Sequence, residues 1–101
     1  MIAKVAVIGT VRFPPEKIAE VLPHLKILVD TTYKVDGCLA FDVAEDPFDR
    51  GLIRFSELWP DHESLEKHLK APHMEPWFKA VNEWVKAREF MIYDIGNGKK
   101  L

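Results

Sequence analysis

The segment Leu52 to Trp59, LIRFSELW, alternates as a strand, yet it carries apolar bulk on both faces. Ile53, Phe55 and Trp59 lie on one side together with Glu57, and Leu52 and Leu58 lie on the other with Arg54 and Ser56. Such a strand needs cover on both sides, and a chain of 101 residues has helical sequence for only one covering layer. Ahead of it, CLAFDVAE (38–45) sets Leu39, Phe41 and Val43 against Cys38, Ala40, Asp42 and Ala44. Asp46-Pro47-Phe48-Asp49-Arg50-Gly51 between the two segments is turn chemistry, so the pair is expected to form a hairpin.

The other elements fit around this hairpin. Residues 2–13 alternate, with Val5, Val7, Gly9 and Val11 on one face and Ile2, Ala6 and Ile8 on the other, which predicts a first strand. Pro14-Pro15-Glu16 suits a helix entry, and Ile18, Val21, Leu22, Leu25, Leu28 and Val29 recur at helical spacing to about Tyr33. Pro23 falls inside that helix and predicts a kink. Asp61 is a good cap for a helix over HESLEKHLK, which Ala71-Pro72 breaks. Met74, Trp77, Phe78, Val81, Trp84 and Val85 then define a further helix, and Arg88 to Ile95 a last strand, followed by a polar tail over 96–101.

The order strand, helix, strand, strand, helical segment, strand is that of an α+β, ferredoxin-like split βαβ domain with a four-stranded antiparallel sheet. One domain over 1–101 is expected. The uncovered sheet face predicts a symmetric homodimer.

Composition removes several classes of function. The 14 basic and 16 acidic residues are interspersed, with a formal net charge of −2, so no basic stripe is present to neutralise phosphates and nucleic acid is not an expected partner. No apolar run approaches the roughly 20 residues of a membrane span, and the strand-like start does not read as a signal peptide. No membrane partner and a cytoplasmic location are therefore expected. The single cysteine, Cys38, lies in an apolar strand and reads as an inert thiol.

The hairpin delivers Trp59 to the start of the capped helix. On that helix Leu65, His68 and Leu69 share a buried-facing arc, so His68 is presented back towards the sheet and a pocket is expected between them. At Asp36-Gly37-Cys38-Leu39, Glu57-Leu58-Trp59, Leu65-Glu66-Lys67-His68-Leu69 and Pro72-His73-Met74, followed by Phe78 and Val81, the sequence resembles the antibiotic biosynthesis monooxygenase family. The resemblance runs from about Met1 to Ile95 and implies a dimeric α+β barrel. The family contains quinol and anthrone oxygenases that use dioxygen without metal or flavin, haem-degrading oxygenases, isomerases of small phosphorylated sugars, and many members without an assigned role. Its haem-degrading branch has an asparagine on the first strand, and a tryptophan and a histidine at positions that fall here on His68 and near Phe78. This chain lacks that set.

The resemblance implies a monooxygenase acting on a quinol-like or polycyclic hydroxyaromatic compound with dioxygen and no cofactor. Such chemistry requires a base active near neutrality and a dry aromatic slot. His68 is the expected base and Trp59 shapes the pocket, with Phe41, Phe55, Met74, Trp77 and Phe78 as walls. His73 is expected either to cap the last helix, the favoured reading, or to line the pocket mouth. Glu57 should be partnered, by Arg54 of a second subunit or a backbone donor, or should carry a raised pKa; a structural ion pair is the default reading and orientation of His68 the functional alternative. Arg12, Arg54, Tyr33 and Tyr93 are further groups able to contact a ligand oxygen. His24 and His62 read as surface residues, and no paired-ligand spacing predicts a metal. Two other readings use the same pocket: a dimeric small-molecule-binding or stress-response protein without turnover, and a proton-transfer isomerase acting on a small carbonyl compound.

Overall fold

A computed structural model describes residues 2–101. Four strands, β1 (Val5–Arg12), β2 (Ala40–Glu45), β3 (Leu52–Trp59) and β4 (Ala87–Asp94), form one antiparallel sheet in the order β2-β3-β1-β4. Helices α1 (Ile18–Val35), α2 (His62–Leu69) and α3 (Met74–Val81) make up the second layer. This is the α+β ferredoxin-like architecture expected from the order of elements.

Alternation decides which strand side chains meet the helices. Val5, Val7 and Val11 of β1, Phe41 of β2, and Ile53, Phe55, Glu57 and Trp59 of β3 are all buried on that side. The register places Val5 opposite Trp59, Val7 opposite Glu57 and Gly9 opposite Phe55. On α1, Ile18, Val21, Leu25, Leu28 and Thr32 form the buried stripe, and Leu65 and His68 of α2 with Met74, Trp77 and Val81 of α3 complete the core.

The hairpin turn needs its glycine. Gly51 has φ +91°, and a Cβ there would overlap the Phe13 carbonyl, while its own carbonyl accepts the Phe13 amide at 2.8 Å. Asp61 caps α2 as expected, accepting the Ser64 amide at 2.8 Å.

Several boundaries differ from the sequence reading. The first strand covers 5–12 rather than 2–13 and β2 starts at Ala40, because Leu39 makes one backbone bond to Leu58 before the ladder begins. Helix α1 passes unbroken through Pro23 and ends two residues later than predicted, at Val35 with Asp36 as its C-cap. The last helix stops at Val81, and residues 82–84 tighten into a 3-10 turn. No helix among the described residues is long and apolar enough to cross a membrane.

Among the described residues no layer covers the far side of the sheet. Ile8, Met91 and Tyr93 are about half exposed there, and Leu52 and Leu58 are partly so. Strand β4 is exposed along its whole length.

Candidate active site

Between the sheet and the helices lies a cavity of about 270 Å³. Its sheet wall is Val7 and Val11 of β1, Phe41, Phe55 and Glu57 of the hairpin, and Arg88, Phe90 and Ile92 of β4. Opposite stand Leu28 of α1, Leu65, His68 and Leu69 of α2, and Met74, Trp77 and Phe78 of α3. Phe41 and Phe55 meet edge to face with centroids 6.2 Å apart, and Phe55 meets Phe90 in the same way at 5.3 Å. Among the described residues, the titratable lining side chains are His68, Glu57 and Arg88.

His68 is 3% exposed, and its Nδ1 lies 2.6 Å from Asp36 Oδ2 at the end of α1. The same carboxylate oxygen lies 3.1 Å from Nε2 of His73, which is also 3.2 Å from the Thr32 hydroxyl. A carboxylate facing Nδ1 favours the tautomer that carries its proton there, leaving Nε2 as the acceptor. Every buried side-chain nitrogen and oxygen among the described residues has a partner. Nε2 of His68 has none, so it is not sealed into the core. The ring lines the cavity, and the cavity is the opening that Nε2 reaches.

The ring is fixed from two further sides. Trp59, fully buried, lies against it with centroids 4.8 Å apart and planes tilted by 37°, and Phe41 meets it edge-on at 5.4 Å. Burial pulls the imidazole below its ordinary range, and the hydrogen bond and charge of Asp36 act the other way. His68 is therefore held neutral around pH 7, poised to accept a proton at Nε2.

Glu57 is 5% exposed and accepts Nε1–H of Trp59 at 2.9 Å. Burial pushes its carboxyl up to about 7, with the Trp59 bond lowering it. The cavity thus carries two titratable groups displaced by burial in opposite directions, Glu57 on the sheet wall and His68 on the helical one.

Several sequence expectations are corrected by this geometry. Trp59 does not line the cavity; it stands behind His68 and Glu57 and supports both. The donor to Glu57 within the chain is the Trp59 side chain rather than a backbone group, and Arg54, on the opposite face of β3, bonds Asp46 of its own chain at 2.8 Å. Arg12 is likewise taken, by Asp49. Glu57 does not orient His68: that role belongs to Asp36, which the sequence reading treated only as part of a turn. His73 occupies the N-cap position of α3, but its side chain caps nothing and is outside the cavity, turned to Asp36 and Thr32. Tyr33 takes the Phe41 amide on its hydroxyl at 2.9 Å, and Tyr93 lies on the far sheet face. Phe41, Phe55, Met74, Trp77 and Phe78 do meet at the cavity. Cys38 is half-buried, and burial pushes its thiol up, away from the reactive range.

Asp36, His68 and His73 also form the one group among the described residues with metal-ligand composition, their donor atoms lying within 4.8 Å of one another. Spacing could not reveal it, since the three come from three elements. The short His68–Asp36 bond already accounts for the arrangement as a hydrogen-bonded cluster.

The family model for antibiotic biosynthesis monooxygenases matches residues 4–80. The chain belongs to the antibiotic biosynthesis monooxygenase family. A solved structure described as an antibiotic biosynthesis monooxygenase is 30% identical, covering 91% of this chain and 98% of that one, with a TM-score of 0.84. A candidate antibiotic biosynthesis monooxygenase from Deinococcus radiodurans shares the fold at 24% identity, covering 96% and 97% of the two chains with a TM-score of 0.87. An uncharacterized protein of Synechocystis is 22% identical over 98 residues, which is 96% of this chain and 67% of that protein. Monooxygenase activity is thus supported at the level of the family. The family match takes in Asp36, Glu57, Trp59, His68 and His73, and it ends before Arg88, Phe90 and Ile92, the part of the cavity wall that β4 supplies.

Proposed function

We propose that this protein is a homodimeric, cofactor-independent monooxygenase that oxidises a small quinol-like or polycyclic hydroxyaromatic compound with dioxygen. The observation that carries the reading is the buried His68–Asp36 pair. It fixes a neutral imidazole with its accepting nitrogen open to an apolar, aromatic-lined cavity. The substrate hydroxyl gives its proton to Nε2, His68 becomes an imidazolium, and Asp36 balances the new charge. The electron-rich anion then passes an electron to dioxygen, and the two radicals combine at a ring carbon. Loss of water leaves a quinone: one oxygen atom stays in the product and the other departs in water, with both hydrogens and all electrons supplied by the substrate. Walls of Phe41, Phe55, Trp77 and Phe78 hold the ring and exclude water from the radical pair.

The homodimer is supported by the far sheet face, where Ile8, Met91 and Tyr93 form an exposed apolar surface on a small domain. Light scattering at micromolar concentration is expected to give twice the chain mass; a monomer would refute this part of the reading.

A second reading draws on Glu57. A carboxyl pushed up to about 7 and a neutral imidazole lining the same cavity are an acid–base pair suited to proton transfer on a small carbonyl compound. Oxygen consumption by metal-stripped protein against hydroquinones, naphthols and anthrones separates the two. Uptake without added cofactor supports the oxygenase. Uptake with none of them, from well-folded protein, refutes it in favour of the isomerase or of binding without turnover.

A further inference from the structure

The cavity has different chemistry at its two ends. His68 and Glu57 belong to its buried side, where Glu57 opposes entry of a charged group: ionised it repels an anion, and neutral it has no charge to offer one. Among the described residues Arg88 is its only cationic lining residue. It lies on exposed β4, opposite Val11 in the register and so on the helix-facing side of the sheet, next to Phe90 and Ile92 on the same face.

Arg88 is held but not neutralised. It donates from Nη2 to the Asn82 side chain at 2.8 Å, and its guanidinium lies 5.4 Å from the centroid of the Phe78 ring. Among the described residues it makes no ion pair, whereas Arg12, Arg50 and Arg54 each bond a carboxylate. A guanidinium braced by a neutral amide and an aromatic ring, with its remaining donors unspent at the edge of an apolar cavity, is matched to an incoming carboxylate.

We propose that the ligand of this cavity is an aromatic acid, a hydroxyaromatic whose hydroxyl reaches His68 and whose carboxylate, at the other end, is held by Arg88. This deepens the reading of the cavity as a hydroxyaromatic site and rests on it. Arg88 then sets which ring compounds are accepted and in which direction they enter. The hydroxyl end is desolvated against His68, while the ionised end keeps contact with water and a fixed cation.

Isothermal titration of the full chain near pH 6 with 6-hydroxy-2-naphthoate and with 2-naphthol tests this without requiring turnover. The hydroxynaphthoate is expected to bind about tenfold tighter, the effect of one charge-assisted contact at a partly exposed site. Arg88→Met brings the ratio of the two affinities close to one, and Arg88→Lys, which keeps the charge, retains part of the preference. Equal affinities in the unsubstituted protein, or a preference that survives Arg88→Met, would overturn the inference while the hydroxyaromatic reading stands. Binding of neither compound would overturn both.

Discussion

Glu57→Gln is expected to stabilise this protein, and to do so only at higher pH. The carboxyl sits among Ile53, Phe55 and Trp59 on the buried face of β3 and keeps its proton up to about 7, from an ordinary value of 4.5. Its folded-state affinity for a proton exceeds the unfolded one, so its contribution to stability is fully present below about 4.5. That contribution is lost as pH rises towards 7, where the folded protein must ionise a buried group. At about 1.4 kcal/mol per pH unit the displacement corresponds to about 3 kcal/mol, a large part of the stability of a domain this size. Glutamine has the same shape, does not ionise, and its side-chain oxygen can still accept Nε1–H of Trp59. Urea unfolding of both proteins between pH 4.5 and 8.5 is the assay. The two curves should lie close together at the acid end and diverge with rising pH, the variant becoming more stable by up to about 3 kcal/mol above pH 7. A difference that does not change with pH, or a variant less stable at pH 8, would refute the account of Glu57 as a buried carboxyl without a compensating cation. The same variant bears on mechanism: the oxygenase reading predicts that oxygen uptake survives it, and the isomerase reading predicts loss of turnover.

Three further outcomes follow from the same contacts. Asp36→Asn keeps one accepting oxygen but removes the negative charge common to His68 and His73; it is expected to cost about 1.5–3 kcal/mol in chemical denaturation, as for hydrogen bonds to charged groups. By NMR titration His68 should also protonate at still lower pH and lose its single tautomer, and an unchanged His68 titration would refute the pairing. Gly9→Ala places a Cβ in the Phe90 ring, which rests on the bare backbone of β1. The ring must swing away, costing about 1–3 kcal/mol and altering the cavity edge; unchanged stability together with unchanged 2-naphthol affinity would show that Phe90 does not depend on this glycine. Trp59→Phe keeps ring packing but leaves Glu57 without its side-chain donor, so the pH at which Glu57 titrates should rise; a fall would contradict the assignment.

The strands, the hairpin and the helix carrying His68 were legible because their apolar periods of 2 and 3.6 are unbroken, and Asp61 and Gly51 punctuate them at positions whose backbone requires such residues. Asp36 was the main omission. Read as Asp-Gly turn chemistry, it is also one helical turn beyond buried Thr32, on the stripe of Val21, Leu25 and Leu28. Extending that phase by four residues would have placed a carboxylate at the end of the buried face. The partner of Glu57 was legible only in part: Trp59 shares its strand face two residues on, but nothing in the alternation tells that the indole N–H turns back to the carboxyl. Arg88 gave no signal, since nothing in one sequence tells which exposed cation of an edge strand lies beside a cavity. His73 shows a further limit. Local position suggested a cap, while tertiary contact with Asp36 and Thr32 took its ring elsewhere.

The central claim is that His68, oriented by Asp36, accepts the substrate proton. Its most direct test is the pH dependence of kcat/KM for oxygen uptake, measured beside the NMR titration of His68 in the same protein. The account predicts an acid limb below the ordinary histidine range that coincides with the His68 titration, moves with it to lower pH in Asp36→Asn, and disappears with activity in His68→Gln. An acid limb that stays in place when His68 shifts, or activity that persists in His68→Gln, would contradict it.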